Sequence, residues 1–159
     1  MDVVAIKRSV VTQLLKETRD KLERMLSQSR ENRKGLDVSA FHTGDDDPQR
    51  YDAAAVFSST THRIKKIQAE IQAVSSVKLE HTNDNIGDGS LLEMTNQFGE
   101  PRWFLLLPAL GGGDFVPDGL TEEVTVITAQ SPLAQSLQST PKGTPFQVNQ
   151  ATYTLVKSY

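Results

Sequence analysis

The first half of the chain carries two long apolar stripes, each barely one residue wide, and very few folds accept such a pattern. Val4, Val11, Leu15, Thr18, Leu22 and Met25 follow the alternating three-and-four spacing that draws one line along a helix, with Arg8 the polar exception at its step. Lys16, Glu17, Arg19, Asp20, Lys21, Glu23 and Arg24 surround the line, so this helix hides one thin seam, as a coiled-coil arm does. Phe57, Ile64, Ile67, Ile71 and Val74 repeat the habit further on. Each seam is the natural cover for the other. The stretch from Gly35-Leu36-Asp37 to Asp45-Asp46-Asp47-Pro48 reads as the turn between them, because glycine and proline interrupt helical propensity and three adjacent carboxylates oppose compact packing. Asp47 followed by Pro48 suits a helix start, with the carboxylate as cap and the proline where a missing N–H costs nothing. The arms are then antiparallel and extend about 35–45 Å each at the helical rise. A hairpin of that length outruns what the rest of the chain can cover, so its tip projects into solvent or into a partner.

The 159 residues, 37% of them hydrophobic, allow a small domain plus such an appendage. The formal charge of −3 conceals an asymmetry: residues 1–77 carry 13 basic and 11 acidic side chains, residues 78–159 carry 4 and 9. Most of the Gly, Pro and aromatic residues fall in the second part, which places a domain boundary between 1–77 and 78–159. Without cysteine there is no disulfide framework and no thiol catalysis, and His42, His62 and His81 are the only nitrogen ligands a transition metal would find. No apolar run reaches the roughly 20 residues that cross a bilayer, and the first residues lack the layout of a secretion signal, so the expectation is a soluble, cytoplasmic protein with no membrane partner.

In the second part, Leu91–Met94, Arg102–Leu107, Val124–Thr128 and Ala151–Val156 read as strands, bounded by Gly, Pro, Asn and Asp, with Phe146-Gln147-Val148 following a Lys142-Gly143 turn. Ser131-Pro132 gives a cap and a first-turn proline to a short helix whose apolar face is Leu133, Ala134 and Leu137. One helix among strands predicts an α+β domain, the helix packed on an antiparallel sheet. Gly111-Gly112-Gly113 lacks the Lys-Ser/Thr context of a phosphate loop and reads as a flexible hairpin turn; Gly87-Asp88-Gly89 reads as a turn into the first strand. Trp103, Phe104 and Phe115 read as core rather than as the lining of a peptide-isomerase pocket.

Two groups of residues resemble the GreA/GreB family of transcription elongation factors. Ser131-Pro132-Leu133-Ala134-Gln135-Ser136-Leu137, then Lys142-Gly143-Thr144-Pro145-Phe146, then Tyr153 to Tyr159 is similar to that family's closing stretch in order and spacing. Gly44-Asp45, Tyr51-Asp52-Ala53-Ala54 and Arg63-Ile64 resemble its hairpin tip and the start of its second arm. The resemblance implies an N-terminal coiled-coil hairpin, a C-terminal FKBP-like domain and a partner, RNA polymerase, whose secondary channel admits the hairpin. It also implies that the chain is no enzyme and has no cofactor of its own. Instead, two acids at the tip help the polymerase hold its second Mg²⁺ and cleave backtracked RNA. Hard carboxylate oxygens are what a loosely held Mg²⁺ requires.

Asp45 and Asp47 are the candidates for that catalytic assistance, and Asp45, Asp46 and Asp47 together for metal contact within the complex. The family's tip reads Asp-x-x-Glu-Asn after a glycine. Aligned on Gly44, Asp45 is the first acid and Pro48 stands at the glutamate; aligned on Tyr51, Asp47 takes the glutamate position and Gly44 the aspartate. Three carboxylates in a row equally suit a solvated turn and a helix cap. Arg30, Arg33 and Lys34 suit contact with nascent RNA or acidic channel walls, and equally the last turn of a helix. Tyr51 either braces the tip or sits in the seam, His42 is a lesser candidate ligand, and Ser131 and Pro132 are the implied polymerase contacts of the second domain. Sequence-specific DNA binding is not expected. The alternative readings are a channel-binding regulator that does not stimulate cleavage, and a stand-alone isomerase or chaperone.

Overall fold

The computed structural model describes residues 1–39, 48–80 and 86–159, with side chains outside 35–39 and 48–54. The order is a long helix α1 (Val3–Ser39), a second helix α2 (Pro48–Ser75), strands β1 (Leu91–Asn96), β2 (Pro101–Leu107), β3 (Asp114–Phe115) and β4 (Val124–Thr128), helix α3 (Pro132–Ser139), and strands β5 (Pro145–Val148) and β6 (Ala151–Ser158). The chain is therefore α+β, with a helical hairpin ahead of a six-stranded sheet and one short helix. The first helix does not stop at Gly35 as its sequence predicts. It runs through Gly35-Leu36-Asp37 to Ser39, since one interior glycine costs only about 1 kcal/mol against a helix already propagating. The second opens at Pro48, as expected.

The chain divides into two compact units, Met1–Leu15 with Glu70–Tyr159, and Lys16–Ala69. This division cuts through both helices, whereas the change of texture near residue 77 falls just beyond the end of α2.

In the first unit the strands lie in the order β3-β4-β2-β1-β6-β5. Pairs β1–β2, β1–β6, β3–β4 and β5–β6 are antiparallel as expected, but β2 and β4 run parallel, Trp103 against Val124 through Leu107 against Thr128. Residues 108–123 supply the crossover, which for parallel pairing has to run to roughly a dozen residues or more. Both faces of the sheet are buried. Trp103, Leu105, Leu107, Val124, Val126 and Phe115 pack under Ile6, Val10, Val11, Leu14 and Leu15 of α1 and Val74 of α2. Phe104, Leu106, Leu92, Met94 and Ile127 pack under Leu133, Ala134 and Leu137 of α3, with Phe146, Val148 and Leu155. That is why β2 is buried continuously from Trp103 to Leu107 while its side chains alternate between two cores. The aromatics Trp103, Phe104 and Phe115 are core, each below a tenth exposed.

The glycine run is not the loose turn its sequence predicts. Gly112 donates to Val126 O at 2.8 Å and Val126 donates back to Gly113 O at 2.8 Å, so the run extends the pairing of β3 along β4. A Cβ on Gly113 would come within 2.7 Å of the Phe115 ring. The turn before β1 does form: Ser90 donates to Gly87 O, Gly87 donates to Ser90 Oγ, and Gly89, at φ +87°, donates to Leu106 O at 2.7 Å.

Candidate functional site: the helical arms

The second unit, Lys16–Ala69, is built almost wholly of surface. On α1 only Thr18, Leu22, Met25, Leu26 and Ser29 are partly screened between residues 16 and 34. On α2 Ile64 is buried, and Phe57, Thr60, Thr61 and Ile67 are half-buried. These positions keep the three-and-four spacing of the predicted seams, so in this unit the arms present one thin apolar line each and polar groups everywhere else. Hydroxyls are satisfied along the helix, Thr61 Oγ1 donating to Phe57 O at 2.9 Å and Ser59 Oγ to Val56 O at 2.9 Å. The shallow hollow lined by Glu17, Thr18, Asp20, Lys21 and Arg24 has alternating charges at i, i+4 spacing, the pattern of a solvated helix face.

At the start of α1 the burial widens. Ile6, Val10 and Leu14, absent from the predicted stripe, are buried beside Val11 and Leu15, so the face there is two stripes wide. The spacing of four from Ile6 to Leu14 was the available signal. Asp2 caps this end, accepting from the Ala5 N–H at 3.0 Å. Lys7 has no accessible surface; its Nζ donates to Leu79 O at 3.4 Å, and burial pushes its pKa below the ordinary lysine value. Arg8 stays in water and pairs with Glu80 at 2.7 Å.

No family model matches the chain, and no curated protein matches it. Solved structures do. The chain is similar in fold to GreA factor homologs. The GreA factor homolog 1 (Gfh1) protein of Thermus thermophilus shares 18% identity over 91% of this chain and 94% of its own, at a TM-score of 0.38. A structure of the transcription factor Gfh1 shares 19% over 91% and 92%, at 0.36, and Thermus aquaticus Gfh1 shares 18% over 91% and 92%, at 0.35. At that degree of likeness, function has to be argued from this chain's own residues.

Of the predicted site residues, Asp45, Asp46, Asp47 and His42 lie outside the described residues. Tyr51 lies in the first turn of α2. Arg30, Arg33 and Lys34 are exposed on α1, and because the helix continues to Ser39 they stand before its last turn, not in it. The helix-end explanation of these cations is thereby weakened, since dipole effects fade within one turn. Ser131 is occupied locally, its Oγ accepting from the Ala134 N–H at 3.2 Å to cap α3, with Pro132 as the first helical residue. Among the described residues no three His, Asp or Glu side chains form a group able to hold a metal, and no helix is long and apolar enough to cross a membrane.

Proposed function

We propose that the chain is a transcription elongation factor that binds RNA polymerase, passes its helical hairpin into the secondary channel and stimulates the polymerase's own cleavage of backtracked RNA. The observation that carries this reading is the pair of arms. At 37 and 28 residues, α1 and α2 are far longer than a small sheet needs for cover, and between Lys16 and Ala69 they bury almost nothing. A helix of 37 residues is about 55 Å long, enough to reach a site deep inside another protein. Helices with no core of their own gain little stability from their length, so their use lies in reach.

The sequence joining the arms contains Asp45-Asp46-Asp47. As a donor set, adjacent carboxylates suit Mg²⁺ and not a softer metal. When bound in the polymerase, that ion supplies an activated water for phosphodiester hydrolysis. The chain's own contribution is to deliver the carboxylates, while Arg30, Arg33 and Lys34 on the exposed surface of α1 attract phosphates or acidic walls along the way. The chain is then a stimulator, not an enzyme.

A second reading keeps the polymerase but drops the cleavage. It is favoured by the tip sequence, in which neither alignment, on Gly44 or on Tyr51, preserves both acids of the Asp-x-x-Glu pattern. Cleavage of a halted, backtracked complex separates the two. The elongation-factor reading expects wild-type protein to shorten the transcript and the Asp45→Ala/Asp47→Ala variant to lose that stimulation by at least about tenfold. Unchanged cleavage in the double variant would remove the metal-contact role, and suppression of cleavage by wild type would favour the regulator.

A further inference from the structure

The buried face at the start of α1 has a polar border. Ser9 and Gln13, one turn apart and half-buried, flank the row of Ile6, Val10 and Leu14. Ser9 Oγ accepts from the Asp118 N–H at 3.2 Å and from Gln13 Nε2 at 3.2 Å, and Gln13 Nε2 donates as well to Val116 O at 3.3 Å. The piece of the crossover they catch is itself held, because Phe115 and Leu120 pack into the core on either side of it and the Leu120 N–H donates to Pro117 O at 3.4 Å. One turn of α1 thus grips two backbone groups that lie 103 and 109 residues further along the chain.

The other contacts at this end of α1 define its rotation less sharply. Ile6, Val10, Val11, Leu14 and Leu15 are aliphatic, and burial of aliphatic surface carries no direction. On the opposite border Arg8 pairs with Glu80, but side chains 61% and 76% exposed hold each other weakly. Lys7 reaches Leu79 O through a long, flexible stem. Hydrogen bonds weaken steeply with angle, so the bonds of Ser9 and Gln13 are the contacts that select one setting. That setting matters along the whole helix, since α1 is unbroken from Val3 to Ser39. With side chains reaching about 5–6 Å from the helix axis, a rotation of roughly 20° moves them by about 2 Å. A misplacement of about 1 Å can cost a reaction a hundredfold in rate.

We infer that Ser9 and Gln13 are positioning residues for cleavage stimulation, fixing the rotation of α1 by their bonds to the crossover at Val116 and Asp118. This rests on the polymerase reading above.

The test compares wild type with Ser9→Ala/Gln13→Met, which removes both hooks, and with Ser9→Thr, which keeps the hydroxyl. The double variant is expected to bind core RNA polymerase within about twofold of wild type, yet to stimulate cleavage at saturation about tenfold more slowly, while Ser9→Thr stays near wild type in both. If the double variant melts lower, Gln13→Met alone carries the comparison. In the free full chain, nitroxide labels on Lys34→Cys and Gln147→Cys, both at exposed positions of a chain without cysteine, follow the same setting with no polymerase present. A narrow distance distribution that broadens when the hooks are removed is expected. Equal widths, or binding and cleavage lost in proportion, overturn the positioning role and leave the polymerase reading intact. Failure of wild type to bind polymerase overturns that reading instead, and the label distances still decide whether Ser9 and Gln13 fix the helix.

Discussion

Lys7 shows how much one side chain can depend on its surroundings. Its ammonium is removed from water between the start of α1 and the Leu79 carbonyl, and desolvation holds its pKa below 10.5. Because the unfolded chain keeps the ordinary value, between the two pKa values the unfolded state binds more protons than the folded one. Folding stability contributed by this group therefore rises with pH through that window, and below it the cost is constant. Thermal melts of wild type and Lys7→Met from neutral pH upward are expected to show a difference that moves in wild type's favour as pH approaches 10.5. A pH-independent difference would mean that Lys7 is not desolvated in the folded state. Tyr159 moves oppositely: burial first, then its hydrogen bond to Glu93 at 3.0 Å and that carboxylate's charge, raise its pKa. Its stabilisation is lost as pH rises through the raised value, and because it is present in both proteins the comparison cancels it. Gly89 is a different kind of constraint. A Cβ there would meet Lys78 O at 2.9 Å, so the left-handed backbone and the close approach both demand glycine.

Among the elements, α3 is the one whose resemblance-based and structural roles compete most directly. The resemblance makes Ser131 a polymerase contact, yet the same residue caps the helix whose Leu133, Ala134 and Leu137 seal one face of the sheet. Ser131→Ala is expected to cost about 0.5–2 kcal/mol in chemical denaturation for loss of the cap. A loss of polymerase affinity without loss of stability would assign the hydroxyl to the interface instead. The elements legible in sequence are those decided locally: β1, β2, β4 and β6 by runs of leucine, β-branched or aromatic residues between Gly, Pro, Asn and Asp, α3 by Ser131-Pro132, α2 by Pro48. The elements it conceals are decided by neighbours. Two residues, Asp114 and Phe115, become β3 only because β4 lies alongside, and the glycines before them become part of that edge for the same reason. The burial of Ile6, Val10 and Leu14 depends on a sheet whose strands begin at Leu91, far along the chain, so a reading of α1 alone finds the narrow seam and overlooks the wide face. Parallel pairing of β2 with β4 has no local signature either; it follows from how residues 108–123 return.

At the scale of the molecule, two kinds of burial coexist in one chain. In the unit that holds the sheet, side chains from helices and strands fill cores on both faces, each fully buried Leu or Val stabilising by about 1.5–3 kcal/mol. In the unit from Lys16 to Ala69 almost every described residue meets water, and the sequence shows this directly as charge density. What sequence does not show is which of Asp45, Asp46 and Asp47 meets the metal, since each alignment keeps one acid of the family pattern and neither keeps both. The absence of cysteine makes the central claim open to direct measurement, because one introduced thiol is the only one in the chain. Lys34→Cys places it on the exposed surface of α1, where a tethered iron chelate generates hydroxyl radicals that cut nearby polypeptide. In a complex with RNA polymerase, cuts clustered along the secondary channel and close to the catalytic Mg²⁺ are the predicted result. Cuts confined to the polymerase's outer surface, or none above the level of free chelate, would contradict insertion of the hairpin.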